Sequence, residues 1–128
     1  MRSLDEDMRD LVQERLSQVA EGTAAANQCD ITIEYERGYP ITDNNEEATQ
    51  HAISVASLVS EVDTDTPPIM PSEDFASMLM EKPGAFIFLG NGDSQMLHNP
   101  EYIFDDEAIP FGSSWYAGMV EERLPITG

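Results

Sequence analysis

From Ser3 to about Ala26, apolar residues recur at three- and four-residue steps. Leu4, Met8, Leu11, Val12, Leu16 and Val19 make one stripe down a helix. Ser3 and Glu6 have the spacing of a capping box, and Asp5 and Asp7 put negative charge at the positive helix end. Gly22 and Asn27 are the two candidate stops. The pattern then changes. Ile31, Ile33 and Tyr35 alternate with Thr32, Glu34 and Glu36, as in a strand with one face on a core, and Arg37-Gly38-Tyr39-Pro40 ends it. A helix and a half-exposed strand bury little alone, so this stretch reads as a piece of a layered α+β unit.

Asn44 and Glu47 form a second capping pair, ahead of a helix that runs to about Ser60. Ala48, Ala52, Ile53, Val55, Ala56, Leu58 and Val59 give it a broad apolar face, and His51, beside Gln50 and Ala52, reads as a surface or packing histidine. Val62 to Pro68 is an acidic, proline-bearing loop. Ser72 then caps a short helix, with Glu73 and Asp74 in its first turn and Phe75, Met78 and Leu79 facing inward. Ala85 to Leu89 is an unbroken apolar run between Gly84 and Gly90, the pattern of a strand buried on both faces. Gly90-Asn91-Gly92-Asp93 turns the chain, and the following loop delivers His98, between Leu97 and Asn99-Pro100. Loops leaving strand ends carry ligands in layered α/β proteins, which makes His98 the candidate for chemistry. Its position alone leaves metal, catalytic and packing roles open. Ile109-Pro110 opens a last helix with Phe111, Trp115, Met119 and Val120 as a core stripe. The fold class expected is α/β (α+β).

At 128 residues the chain is one average domain or pieces of two, and 41% hydrophobic residues can build a core. No apolar run reaches the length of a membrane span and no basic leader precedes a cleavage site, so a soluble, cytoplasmic protein is expected. A single cysteine, Cys29, excludes an internal disulfide and a cysteine-built zinc site. The charge changes the picture most: 25 acidic residues stand against six basic ones, and Lys82 is the only lysine. A formal charge of −19 repels phosphate backbones and anionic lipids, so neither nucleic acid nor membrane is an expected partner. It also repels itself, and salt screens that repulsion; adaptation to a high-salt cytoplasm, as in halophilic archaea, is the expectation, with an ordinary acidic bacterial protein as the alternative.

FLGNGD, then LHNP, then Tyr102, Phe104, Asp105, Asp106 and Glu107, with SEDF ahead of them, resemble one family of metal-dependent amidohydrolases and peptidases. It includes hippurate hydrolase, aminoacylase, N-acyl amino acid amidohydrolases and indoleacetyl-amino acid hydrolases. The resemblance implies that His98 is a ligand of a divalent metal, zinc or manganese. It also implies that the SEDF turn lies beside the active site, where Ser72 and Glu73 would contribute to binding a substrate carboxylate through backbone amides. Two positions depart from the family pattern. Pro71 stands where a small residue is usual and removes a donor, and Ile103 stands where an aspartate is usual.

RSLDEDMRDLVQERL followed by IEYERGYP resembles the second half of the family's lid domain, through which many members dimerise. Residues 1–40 are therefore expected to be lid, forming a homodimer or other oligomer, and residues 41–128 the C-terminal part of the catalytic domain. The family's other metal ligands and its catalytic glutamate come from an N-terminal half to which nothing here corresponds. No residue is assigned a catalytic role, and the chain alone is expected to be inactive until that half is supplied. The substrate class expected is a small N-acyl amino acid or peptide-like amide. The alternative is a non-catalytic interaction module that keeps the fold.

Overall fold

A computed structural model describes residues 3–126. Every regular element among them is helical: α1 (Glu6–Asn27), α2 (Glu46–Val59), α3 (Phe75–Glu81), a 3-10 turn (Asp106–Ala108) and α4 (Ile109–Arg123). The chain divides into two compact units. One holds residues up to Asp43 with Pro68–Lys82; the other holds Asn44–Pro67 with the chain from Pro83 onward.

In the first unit, α1 begins two residues later than the Ser3 capping box implies. Asp5 is the cap, its carboxylate accepting from the Met8 N–H at 2.7 Å, while the Ser3 hydroxyl accepts from the Asp5 N–H at 3.2 Å. An aspartate caps better here because its charge also meets the helix dipole. Asn27 is the last helical residue. Gln28 follows with φ 53°, and the Cys29 N–H returns to the Ala24 carbonyl at 3.1 Å, a closure by one left-handed residue.

Two strand expectations are overturned, and with them the α/β (α+β) class: no strand occurs among the described residues. Ile31 to Glu36 alternates correctly but has no ladder partner. It is held to α1 by charge instead. The Arg37 guanidinium bridges Glu6 at 2.8 Å and Asp10 at 2.5 Å, the Arg9 guanidinium donates to the Arg37 carbonyl at 2.8 Å, and the Ile41 N–H donates to Glu6 at 3.3 Å. Arg37 foremost, with Arg9 and the Ile41 amide adding to it, holds the Glu6 carboxyl below its usual range despite some opposing desolvation. Alternation reports which side chains share a face; it does not supply the neighbouring backbone that a strand requires.

The second unit contains the other failed strand. Only Gly84, Ala85 and Phe86 of its run are half-buried, and Phe88 remains 56% exposed. The Asn44 side chain takes the place of a strand neighbour at one residue. Its amide donates to the Phe86 carbonyl at 2.9 Å and accepts from the Phe86 N–H at 2.7 Å. The α2 cap consequently falls to Asn45, which accepts from the Ala48 N–H at 3.0 Å and donates its own N–H to the Gly84 carbonyl at 2.9 Å.

Against α2 packs α4. The Trp115 indole N–H donates to the Ala52 carbonyl at 3.1 Å, and Ala52 and Val55 are buried. Gly118 allows the approach: a Cβ there would stand 2.7 Å from Val55 Cγ1. The buried apolar residues of the described chain are small, namely Ala24, Ala52, Val55, Ala76 and Ala108.

Gly118→Ala sets two effects against each other. Alanine favours a helix by about 1 kcal/mol over glycine, whereas overpacking a rigid core costs about 1–3 kcal/mol. Val55 is buried and β-branched, so it yields little and the clash wins. The expected result is a lower midpoint in thermal or urea unfolding. Gly22→Ala, with nothing within 4 Å, is the control and should stabilise by about 0.5–1 kcal/mol. Equal effects at the two sites would refute the α2–α4 contact.

Candidate functional site

The loop bearing His98 is tied shut at its neck by side chains. Just before the left-handed Gly92 (φ 70°), Asn91 reaches across the neck: its amide donates to the Ile103 carbonyl at 2.6 Å and its oxygen accepts from the Asp105 N–H at 2.8 Å. Ser94 adds a second grip, donating to the Ile103 carbonyl at 3.0 Å and accepting from the Ile103 N–H at 3.2 Å. Below the neck, Asp105 accepts from the Glu107 N–H at 2.9 Å and so starts the 3-10 turn that runs into α4. Asp105 therefore serves as a cap.

Within the loop, the Asn99 N–H bonds the Met96 carbonyl at 3.1 Å, making Leu97 and His98 the middle of a tight turn. His98 holds φ 67°. This is a left-handed conformation that glycine or asparagine usually takes in turns, and it costs another residue about 1–2 kcal/mol. Asn99 stabilises the exit, accepting from the Glu101 N–H on its side chain at 2.8 Å and from the Tyr102 N–H on its carbonyl at 3.0 Å. His98 is exposed, and its ring makes no hydrogen bond among the described residues. Strain of this kind is found at functional positions, and here it turns an unengaged imidazole outward.

No group of three or more His, Cys, Asp or Glu among the described residues could hold a metal ion. The described residues do not, by themselves, fit the ion that the resemblance implies. Ser72 and Glu73 lie in the first compact unit, His98 in the second. Ser72 is exposed and is not the helix cap; Asp74 occupies that position without a side-chain bond, and α3 is seven residues long. The Glu73 carbonyl accepts from the Ala76 N–H at 3.3 Å. Sequence reasoning missed Asn91 and Ser94, for which the only signal was their position within and just after the turn at residues 90–93.

The chain matches the peptidase family M20/M25/M40 over residues 6–122, and it belongs to that family. It is 34% identical over 127 residues to the hippurate hydrolase of Campylobacter jejuni, an alignment covering 97% of this chain and 33% of that enzyme. It is 31% identical over 126 residues to the N-acetyldiaminopimelate deacetylase of Pediococcus pentosaceus, with 97% and 33% covered. With the deacetylase of Streptococcus suis the identity is 34% over 113 residues, covering 87% and 30%. The chain thus spans about a third of the length of these curated relatives. No solved structure is a significant match. Among the described residues no helix is long and apolar enough to cross a membrane.

Replacing Asn91 by alanine removes both bonds at the neck. The Asp105 amide, whose acceptor is lost, should exchange with solvent roughly 10–100-fold faster, reflecting about 1–3 kcal/mol of local stability. Unchanged protection at Asp105 would show that the loop closes without Asn91.

Proposed function

We propose that the chain is the C-terminal portion of a metal-dependent amidohydrolase acting on N-acyl amino acids or small peptide-like amides. His98 supplies one ligand to a divalent ion, zinc or manganese, and the remaining ligands come from the two-thirds of the enzyme that the relatives carry beyond this chain. The observation that carries the reading is the LHNP turn. In a chain matching the family over residues 6–122, His98 stands exposed and unengaged at φ 67°. Hippurate and N-acetyldiaminopimelate, named in the relatives, are both N-acyl amino acids, which supports the substrate class. A neutral imidazole nitrogen is a common ligand for zinc, and such an ion would polarise the amide carbonyl and activate water. The chain's own part is to hold the His98 turn through Asn91, Ser94 and Asn99. Ser72 and Glu73 contribute to the substrate side of the site.

Residues 1–40 take part in a homodimer or other oligomer, in keeping with the exposed apolar stripe that leads from Leu4 down α1, where Leu4, Met8, Leu11, Leu16 and Val19 are 41–67% exposed. The location is cytoplasmic, and the −19 charge is an adaptation to salt.

Calorimetry with zinc and manganese, alongside hydrolysis of a simple N-acyl amino acid, tests the site. The chain alone should show neither tight binding nor turnover. Joined to the portion that the relatives carry, it should show both, and His98→Ala should lower metal affinity at least 10–100-fold. Tight binding that survives His98→Ala would overturn the assignment. For the charge, the thermal midpoint should rise as potassium chloride is increased toward molar concentrations; a flat or falling midpoint would remove the salt adaptation.

A further inference from the structure

One imidazole links α2 to the last turn of α4. His51, 30% exposed, places Nδ1 2.7 Å from a carboxylate oxygen of Glu122 and Nε2 2.6 Å from a guanidinium nitrogen of Arg123. Glu47, one turn earlier on α2, lies 3.8 Å from the same Nε2. A guanidinium has only donors, so the short Arg123 contact requires a lone pair on Nε2. An ionised carboxylate has only acceptors, so the Glu122 contact calls for the proton on Nδ1. Both demands are met by one species, the neutral imidazole protonated at Nδ1.

We propose that His51 is a proton-operated latch on the end of α4. Adding a proton to Nε2 puts an N–H and a positive charge against the Arg123 guanidinium, which has nothing to accept with. The Arg123 bond breaks, and the new N–H turns to Glu47, the acceptor next to it. Nδ1–H keeps Glu122. Partner exchange therefore occurs at one ring nitrogen between a cation on α4 and a carboxylate on α2. Arg123 is the basic residue of the last turn of α4, where the Leu124 N–H bonds the Val120 carbonyl at 2.9 Å, so breaking the bond to Nε2 removes one of the two side-chain ties, through Glu122 and Arg123, that hold this turn to His51. The Trp115–Ala52 bond and the Gly118–Val55 contact lie further along the interface and hold α2 to α4 in both states.

The test needs no variant at first. Long-range nitrogen–proton NMR correlations of the full chain at alkaline pH should show His51 protonated at Nδ1 and bare at Nε2, with exposed His98 as the internal reference. On acidification, exchange of the Leu124 amide, corrected for its intrinsic pH dependence, should rise on the order of tenfold with the midpoint of His51. In Arg123→Met the corrected exchange should lose this step, while the His51 resonances still titrate. In Glu47→Gln the released state still forms and the Leu124 step is retained, because the side-chain amide oxygen can still accept from Nε2–H. An Nε2-protonated neutral ring in the wild type would overturn the proposal, as would Leu124 exchange that ignores the His51 midpoint. Neither result bears on the metal role of His98.

Discussion

The approach of α4 to α2 is the constraint through which the second unit is put together. Gly118 lets the helices meet at Val55, and Trp115 fixes the contact by donating to the Ala52 carbonyl. The long connection between them is anchored from both sides. Where that connection re-enters the unit, Asn44 and Asn45, which lead into α2, bind Phe86 and Gly84; at its end the Asp105-capped turn runs straight into α4. A loop held at two points on one packed pair can maintain a left-handed residue such as His98, because the surrounding bonds offset its cost. Loss of the helix pair would release both stems together.

Within that frame, side-chain amides do what a sheet would otherwise do. Asn44 satisfies both backbone groups of Phe86, and Asn91 satisfies one group each of Ile103 and Asp105. A primary amide carries a donor and an acceptor side by side, which is the pairing that an adjacent strand presents. One asparagine provides it at one point and cannot extend it along a ladder. This is why the apolar run from Ala85 to Leu89 is pinned at one residue yet belongs to no strand.

The helices were legible in the sequence because their signal is local: the stripe of α1, the apolar face of α2 and Pro110 at the start of α4 all mark real elements. Their caps shifted by one or two residues, from Ser3 to Asp5, Asn44 to Asn45 and Ser72 to Asp74, since several neighbouring polar residues could fill each place. The strands were not legible in the same way. Hydrophobic pattern reports how a segment is meant to be covered, and pairing depends on residues far away in the chain or outside it. His98 was singled out first by its place after an expected strand and then by the LHNP motif; among the described residues that strand does not form, so the motif alone carries the assignment. The grip of Asn91 and Ser94 was invisible because it depends on a return of the chain 9–14 residues later.

Burial and charge bear on stability from opposite directions. Among the described residues the buried apolar groups are four alanines and a valine, whereas Leu58, Met96 and Ile103 are at least 74% exposed. Small buried residues bring little transfer free energy, at about 25 cal/mol for each Å² of apolar area removed from water. Set against that modest gain is the self-repulsion of a −19 chain. Covering the exposed apolar residues would strengthen the first term, and salt would weaken the second. Strongly excluded salts act on both, since they also favour apolar burial. Association and ionic strength are therefore coupled for this chain: contact between two acidic surfaces is opposed until their charge is screened, and apolar residues gain from contact only when the surfaces can meet.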